Sequence, residues 1–413
     1  MKKCYFITYV LIFLCQISIA QQFTKGTILD AENGAPIPFA NVFFSNLYKG
    51  TSTNESGEFI LEISSFPQEI TISHISYEKQ KIQVQNDKNL TIKLVPLSIT
   101  LGEVFITGEP DYAFKLVQKA YGKMKKESKK DYYGKVFYRQ KTYNDEQCIE
   151  VQEKFYEAKF STQRIEQWKI TNARFAEKVG TKVNPIINFT NFSYLGGAFK
   201  FFQDKLSEKE LAQSLVLPIG ESSFDKYDYE LKRIIKGKEN EIAVIAFTPK
   251  QEKKLILMQG ELYLDIKNAW IYKIKGIFNL ANIGFLRFKD LKDIAENSLL
   301  TFEVASNLDK EGNWQIDYFK TTNTFDYVSP SLNLRKKVKA ESVLFFYEYD
   351  EKLKNRSMKA LELEINDLKA MAKLPYNKEF WQNNPIIKRT PLEEDIIKSF
   401  EEAKAFGNMF SDN

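Results

Sequence analysis

Between residues 24 and 108, short apolar runs alternate with turn residues so regularly that the segment reads as a small all-β unit. The runs are Gly26 to Leu29, Ala40 to Phe44, Gly57 to Ile63, Glu69 to Ser73, Gln80 to Gln85 and Leu90 to Leu94. Strands this short, with turn signals between them, are the pattern of a β-sandwich. Asp30-Ala31-Glu32-Asn33-Gly34 is a hairpin-type connection in which Asn33-Gly34 can take positive φ. Pro36 and Pro38 cannot donate to a ladder, so the chain enters its next strand only at Ala40. Asn54-Glu55-Ser56-Gly57 turns the chain ahead of Phe59, and Tyr77 reads as a core aromatic whose hydroxyl needs a partner.

The stretches Gly26-Thr27-Ile28-Leu29-Asp30, Gly34 to Val42, Gly50 to Phe59 and Leu101-Gly102-Glu103-Val104-Phe105-Ile106-Thr107-Gly108 together resemble the carboxypeptidase-regulatory-like (transthyretin-like) domain that begins many outer-membrane and periplasmic proteins of Bacteroidota. The resemblance implies a seven-stranded-type β-sandwich and a place in the cell envelope: the periplasm, the periplasmic face of the outer membrane, or the cell exterior. Two departures stand out. Asn54-Glu55-Ser56-Gly57 replaces an Asp-rich turn, which weakens any case for an ion there, and Ser76-Tyr77 replaces the usual Gly-Tyr.

Met1 to Ala20 has a basic start at Lys2 and Lys3, an apolar stretch from Tyr5 to Ile19 and small residues at Ser18 and Ala20, the layout of a secretory signal peptide. A lipid anchor on Cys15 would want a small residue before it, where Leu14 stands. No later stretch approaches the eighteen or so apolar residues of a transmembrane helix. With Cys4 and Cys15 in the signal, Cys148 has no internal disulfide partner and reads as a small buried hydrophobe. His74 is the single histidine in 413 residues. One imidazole cannot supply a multi-histidine zinc site, so a zinc carboxypeptidase centre is ruled out, and a packed strand histidine is the expectation. Its place inside the sandwich likewise leaves no Ser-His-Asp triad or Cys-His pair to expect. The net charge of +5, or +3 without Lys2 and Lys3, selects no partner.

Beyond the sandwich, Pro110-Asp111 opens a helix with Asp111 as its expected cap. Ala113, Leu116, Val117, Ala120, Tyr121 and Met124 form its apolar stripe, and Lys119, Lys123, Lys125, Lys126, Lys129 and Lys130 make a solvated basic end. From Tyr132 to Tyr349 the pattern is alternation, with strands expected at Tyr132 to Tyr143, Cys148 to Phe160, Arg164 to Asn172, Tyr227 to Ile235, Glu241 to Phe247, Leu255 to Asp265, Ala269 to Leu280, Leu299 to Leu308, Trp314 to Phe325 and Lys337 to Tyr349. Hairpin turns between them predict an antiparallel meander. Charged residues on both alternation phases, as in Lys253 to Leu257 and Arg287 to Lys292, argue against an outer-membrane barrel. A strongly curved sheet similar to periplasmic lipoprotein-carrier domains fits Gly260 to Asp265 followed by Trp270-Ile271-Tyr272-Lys273-Ile274. The fold class expected is therefore mainly β: a sandwich, a helix, a large curved antiparallel meander and C-terminal helices. The expected divisions are 1–20 signal, 21–108 sandwich, 109–131 linking helix and basic turn, 132–374 curved sheet and 375–413 helical tail. In the tail, Thr390-Pro391-Leu392-Glu393 predicts a capped helix to Phe406, with Leu392, Ile396, Phe400 and Ala403 inward.

The function expected is a non-catalytic envelope protein whose sandwich is an interaction or spacer module and whose curved sheet binds a ligand or partner: an outer-membrane or periplasmic protein, a lipid or a glycan. Nucleic acid is not an expected partner of an exported chain, and no cofactor or metal is expected. Contacts would come from the apolar insert with Phe189, Phe192, Tyr194 and Phe199, read as a lid or as packed core, and from Trp270 and Trp314. The alternatives are glycan binding on platforms drawn from Trp168, Trp270, Trp314 and Trp381, and a glycan-active enzyme using two carboxylates. Gly220-Glu221-Ser222 lacks the second glycine of a nucleophile elbow.

Overall fold

The computed structural model describes residues 22–45, 49–101, 111–178, 200–212, 214–238, 240–250, 255–280, 293–309, 311–360, 371, 373–384, 386–403 and 405–406. The expected signal of Met1 to Ala20 and the insert with Phe189, Phe192, Tyr194 and Phe199 lie outside them.

Among the described residues the sandwich has seven strands. One sheet runs β4 (Glu58–Ile63), β1 (Gln22–Asp30), β7 (Leu90–Leu94), and the other runs β3 (Gly50–Ser52), β2 (Asn41–Phe44), β5 (Gln68–His74), β6 (Tyr77–Val84). Inward residues of both sheets, among them Ile28, Val42, Phe59, Ile70, Ile72 and Ile92, fill the core. The Asn33-Gly34 turn forms as expected, with Gly34 at φ 72. Asn54 Oδ1 holds the second turn by accepting from the Ser56 and Glu58 N–H groups, both at 2.9 Å. Tyr77 finds its partner: its hydroxyl donates to Asp30 Oδ2 at 2.9 Å. Strand β3 is not among the expected runs; Gly50 lets it approach β2 closely, since a Cβ there would lie 2.4 Å from the Val42 carbonyl oxygen.

Helix α1 (Tyr112–Glu127) buries the six stripe residues expected of it, but Asp111 makes no side-chain cap. Its lysines are more engaged than a solvated end requires. Lys119 donates to the Lys267 carbonyl at 3.0 Å, Lys123 lies 4.3 Å from the centre of the Trp270 ring, and Lys125 pairs with Glu221 at 2.8 Å.

Among the described residues the remaining strands form one 13-stranded sheet. Its path is β20 (Lys359–Ala360), β11 (Ile165–Glu177), β10 (Gln147–Phe160), β9 (Tyr132–Asn144), β19 (Leu334–Tyr349), β18 (Trp314–Ser329), β17 (Ile294–Leu308), β16 (Ile271–Asn279), β15 (Ile256–Asp265), β14 (Glu241–Pro249), β13 (Tyr227–Lys236) and β8 (Ser98–Leu101), with β12 (Leu215–Val216) beside β15. Strand β8, although within the sandwich's stretch of sequence, belongs to this sheet. Two strands outrun their expected ends where bulges interrupt the alternation: β17 at Asn297, with φ 54, and β11 around Thr171. Such bulges add twist and bend a sheet. Gly260 and Gly276 face each other across β15 and β16, where a Cβ on Gly260 would come 2.0 Å from the Lys275 carbonyl oxygen. Among the described residues the path is open, because β20 and β8 do not pair. No described helix is long and apolar enough to cross a membrane.

Both faces of the sheet are covered. Helix α1, the segment around Phe201, Phe202, Leu217 and Ile219, and α2 (Glu208–Ala212, capped by a Ser207–Glu210 box) pack on the inner face. The outer face takes the sandwich and the tail, with α3 (Lys378–Asn383) and α4 (Pro391–Glu402). Val42 and Phe44 point into the sandwich while Asn41 and Phe43 point onto the sheet, where Phe43 meets Phe345 and Tyr349 and neighbouring Phe39 meets Tyr318. The Thr390–Glu393 capping box forms, but α4 ends at Glu402 and buries Ile397 and Phe400, leaving Leu392 65% exposed.

Candidate functional site

The inner wall holds an arrangement that alternation alone does not announce. Strands β18, β19, β9 and β10 bring their inward side chains into rows across the sheet. Nearest α1 the row is Phe319, Leu344, Tyr138, Lys154. Next comes Thr321, Ser342, Gln140, Gln152, then Asn323, Ala340, Thr142, Glu150, and beyond these Phe325, Val338, Asn144. Directly opposed residues on one face of an antiparallel pair touch, so each row is a contact line. Two polar rows thus lie between two largely apolar ones, and Gln140, Gln152 and Lys154 have no exposed surface.

Hydrogen bonds knit the rows around one carboxylate. Glu150 Oε1 accepts from Gln152 Nε2 at 3.1 Å, and from Gln140 Nε2 and Thr142 Oγ1 at 3.3 Å each. The Tyr138 hydroxyl donates to Gln140 Oε1 at 2.6 Å, and the Lys154 ammonium lies 5.1 Å from the centre of the Tyr138 ring. Thr321 and Ser342 bond each other at 2.6 Å. Burial drives the Glu150 carboxyl up to about 7; the hydrogen bond from Gln152 opposes this, and the charge of Glu177, its partner across β11, adds to it. Two buried acceptors, Gln152 Oε1 and Asn323 Oδ1, have no hydrogen-bond partner. Such atoms cost free energy unless something supplies a donor.

The residues singled out from sequence fall elsewhere. Trp314 is fully buried, its indole N–H donating to the Ile271 carbonyl at 3.2 Å, and Trp270 is 6% exposed. Trp168 stacks on Tyr156, and Trp381 packs under the tail. The tryptophans therefore present no open platform. Ser222 braces a loop by bonding both backbone groups of Leu206. His74 Nδ1 accepts from the Ser76 N–H at 3.2 Å, and burial, followed by the charge of Lys273, pushes the imidazole down to about 4. Cys148 lies buried in β10, its thiol raised by burial to about 11. Alternation alone places Glu150, Gln152 and Lys154 on the solvent phase of β10, opposite Val151 and Phe155, so it gives no sign of the polar rows. The signal lay in the short turn between β9 and β10, which sets Gln140 opposite Gln152.

The outer face carries a second polar cluster with a structural role. Glu153 receives Arg139 Nε at 2.7 Å and Arg174 Nε at 2.7 Å, with Arg389 3.6 Å away. Burial opposes its ionisation, yet Arg174, then Arg139 and Arg389, hold the carboxyl far below the usual range. Arg139 also donates to the Ile387 carbonyl, and the Arg174 guanidinium lies between the Trp381 and Phe406 rings. The tail is thereby clamped onto the sheet.

Residues 24–106 match the CarboxypepD_reg-like domain family. No curated protein matches the chain. Among solved structures, the chain is similar to a DUF1329 family protein from Desulfovibrio piger, at 10% identity over 62% of this chain and 95% of that one, with a TM-score of 0.21. A protein of unknown function from Bacteroides fragilis matches at 10% identity over 80% and 98%, with a TM-score of 0.16. MucB, in its complex with MucA(peri), matches at 10% identity over 59% and 98%, also with a TM-score of 0.16.

Proposed function

We propose that this chain is an exported, non-catalytic binding protein of the cell envelope, in which the sandwich and tail shield the outer face of the curved sheet and the inner face takes the ligand. The polar rows centred on Glu150 carry this reading. They interrupt an apolar wall with a hydrogen-bonding band whose buried acceptors are incompletely used, the combination of apolar lining and few placed polar groups that small-molecule sites share. The Met1 to Ala20 segment supports export. Native mass spectrometry of the protein purified from a cell envelope tests the reading: a bound small molecule released on denaturation is expected. A protein that leaves every such preparation free of ligand, and that takes up no amphiphile added in vitro, would overturn it.

The raised carboxyl of Glu150 favours one second reading, a carboxylate-dependent glycan-active enzyme, since acid catalysts are tuned upward by burial in this way. Turnover of any member of a glycan panel, abolished by Glu150→Gln, would establish it.

A further inference from the structure

We infer that the inner-face band recognises the uncharged, hydroxyl-bearing head of an amphiphile, of the chemistry of a monoacylglycerol; this rests on the inner face being the ligand site. The donors of the band are largely committed. Tyr138 bonds Gln140, both Gln140 and Thr142 bond Glu150, Gln152 Nε2 bonds the same oxygen, and Thr321 and Ser342 satisfy each other. The buried atoms of these two rows left without a partner are acceptors, Gln152 Oε1 and Asn323 Oδ1, both on side chains at least nine-tenths buried. The hydrogen bond that Gln152 Nε2 gives Glu150 fixes the orientation of that amide, so its free atom is the oxygen. A molecule that fits must bring O–H or N–H donors.

Charge narrows the class. Glu150 and Lys154 project from the same face of β10, and the Lys154 charge already acts on the Glu150 carboxyl. A charged head of either sign would meet a like charge beside the opposite one, an anion the Glu150 carboxyl when ionised and a cation the Lys154 ammonium, and an anion would also face two amide oxygens. A hydroxyl head meets neither difficulty. Apolar rows flank the band on either side, Phe319 and Leu344 on one and Phe325 and Val338 on the other.

The experiment compares 1-monooleoylglycerol, oleate and oleylamine binding to the full-length mature protein by calorimetry, with Asn323→Leu as the test variant and Thr322→Val, on the opposite face of β18, as its control. Expected are at least tenfold tighter binding of monooleoylglycerol than of the two charged amphiphiles, an approximately tenfold loss in Asn323→Leu, and no loss in Thr322→Val. The melting temperature of Asn323→Leu should match or exceed that of the parent, because a buried acceptor without a donor is removed. Equal or tighter binding of oleate or oleylamine, or unchanged affinity in a folded Asn323→Leu, would overturn the head-group assignment while leaving the inner face as a ligand site. Binding of none of the three would count against that site itself. Should Asn323→Leu fail to fold, the ranking of the three amphiphiles decides alone.

Discussion

At Asp317 the register between β17 and β18 slips by one residue, so that Ala305 faces Tyr318 and Ser306 faces Ile316. The slip turns Asp317 and Tyr318 together toward the outer face, as a bulge does. There Asp317 accepts from Asn41 Nδ2 of the sandwich at 2.8 Å and from Asn307 Nδ2. No described lysine or arginine pairs with it, and burial raises its carboxyl to about 7 against an ordinary value of 3.8, although both amides oppose the rise. The folded state therefore holds this proton more tightly than the unfolded chain does. The associated stability is complete below about pH 4, declines as pH rises toward 7 and is level above, a change on the order of a few kcal/mol. Urea unfolding at a series of pH values should show stability falling more, or rising less, from pH 4 to 7 in the parent than in Asp317→Asn. Glu150, which shifts in the same direction, and His74, whose lowered imidazole adds stability as pH rises through the same window, contribute to both proteins alike. An unchanged slope would mean that Asp317 titrates normally. None of this is legible in sequence, since Asp317 sits in an alternating run that gives no sign of the extra residue.

The tail shows element-scale packing that sequence half reveals. Thr390, Pro391 and Glu393 specify the start of α4 completely, because capping is local chemistry, and the box forms with the Thr390 N–H bonding Glu393 at 2.9 Å. Which side of α4 turns inward depends on what it meets, and the ion cluster on β9 to β11 decides that. Lys141 holds Glu393 at 2.8 Å and Arg139 approaches it at 3.5 Å, which seats Ile397 and Phe400 against the sheet and leaves Leu392 outside. Glu153→Gln should cost about 3–5 kcal/mol by stranding buried guanidinium groups, whereas Thr390→Ala should cost about 1 kcal/mol. Limited trypsin digestion checks the consequence: cleavage at Lys388 or Arg389 should accelerate strongly in Glu153→Gln and little in Thr390→Ala. Equal rates would show that the cluster does not secure the tail. Strand β10 explains why that cluster escaped the reading of alternation. Both of its faces are covered, so Glu153 and Lys154 are neighbours in sequence and buried on opposite sides.

Across the whole molecule, the sandwich is a fixed part of the assembly. Phe39 and Phe43 press on the sheet, Lys49 bridges to Glu348, Lys320 reaches Glu55 at 2.9 Å, and β8 extends the sheet beyond β13. The tail joins in, with Lys388 bonding Glu58 at 2.7 Å and Ser52 bridging Ile387. Calorimetric melting should therefore give one transition for sandwich and sheet together; two resolved transitions would show the contacts to be weak. The architecture of each part was legible, because strand alternation and turn residues are local. Their docking was not, because the outward residues of β2, Asn41 and Phe43, look no different from those of an isolated sandwich. One consequence concerns the order of events as the chain is made. Strand β9 lies between β10, its hairpin partner, and β19, whose Glu348 pairs with Lys135 across 213 positions of sequence. The first three strands after α1 must wait with one edge bare until nearly all the rest has been synthesised, and closure across such separations is slow. A polypeptide caught at that stage offers a long ladder of open amides, so for this protein the hazardous interval precedes the finished fold.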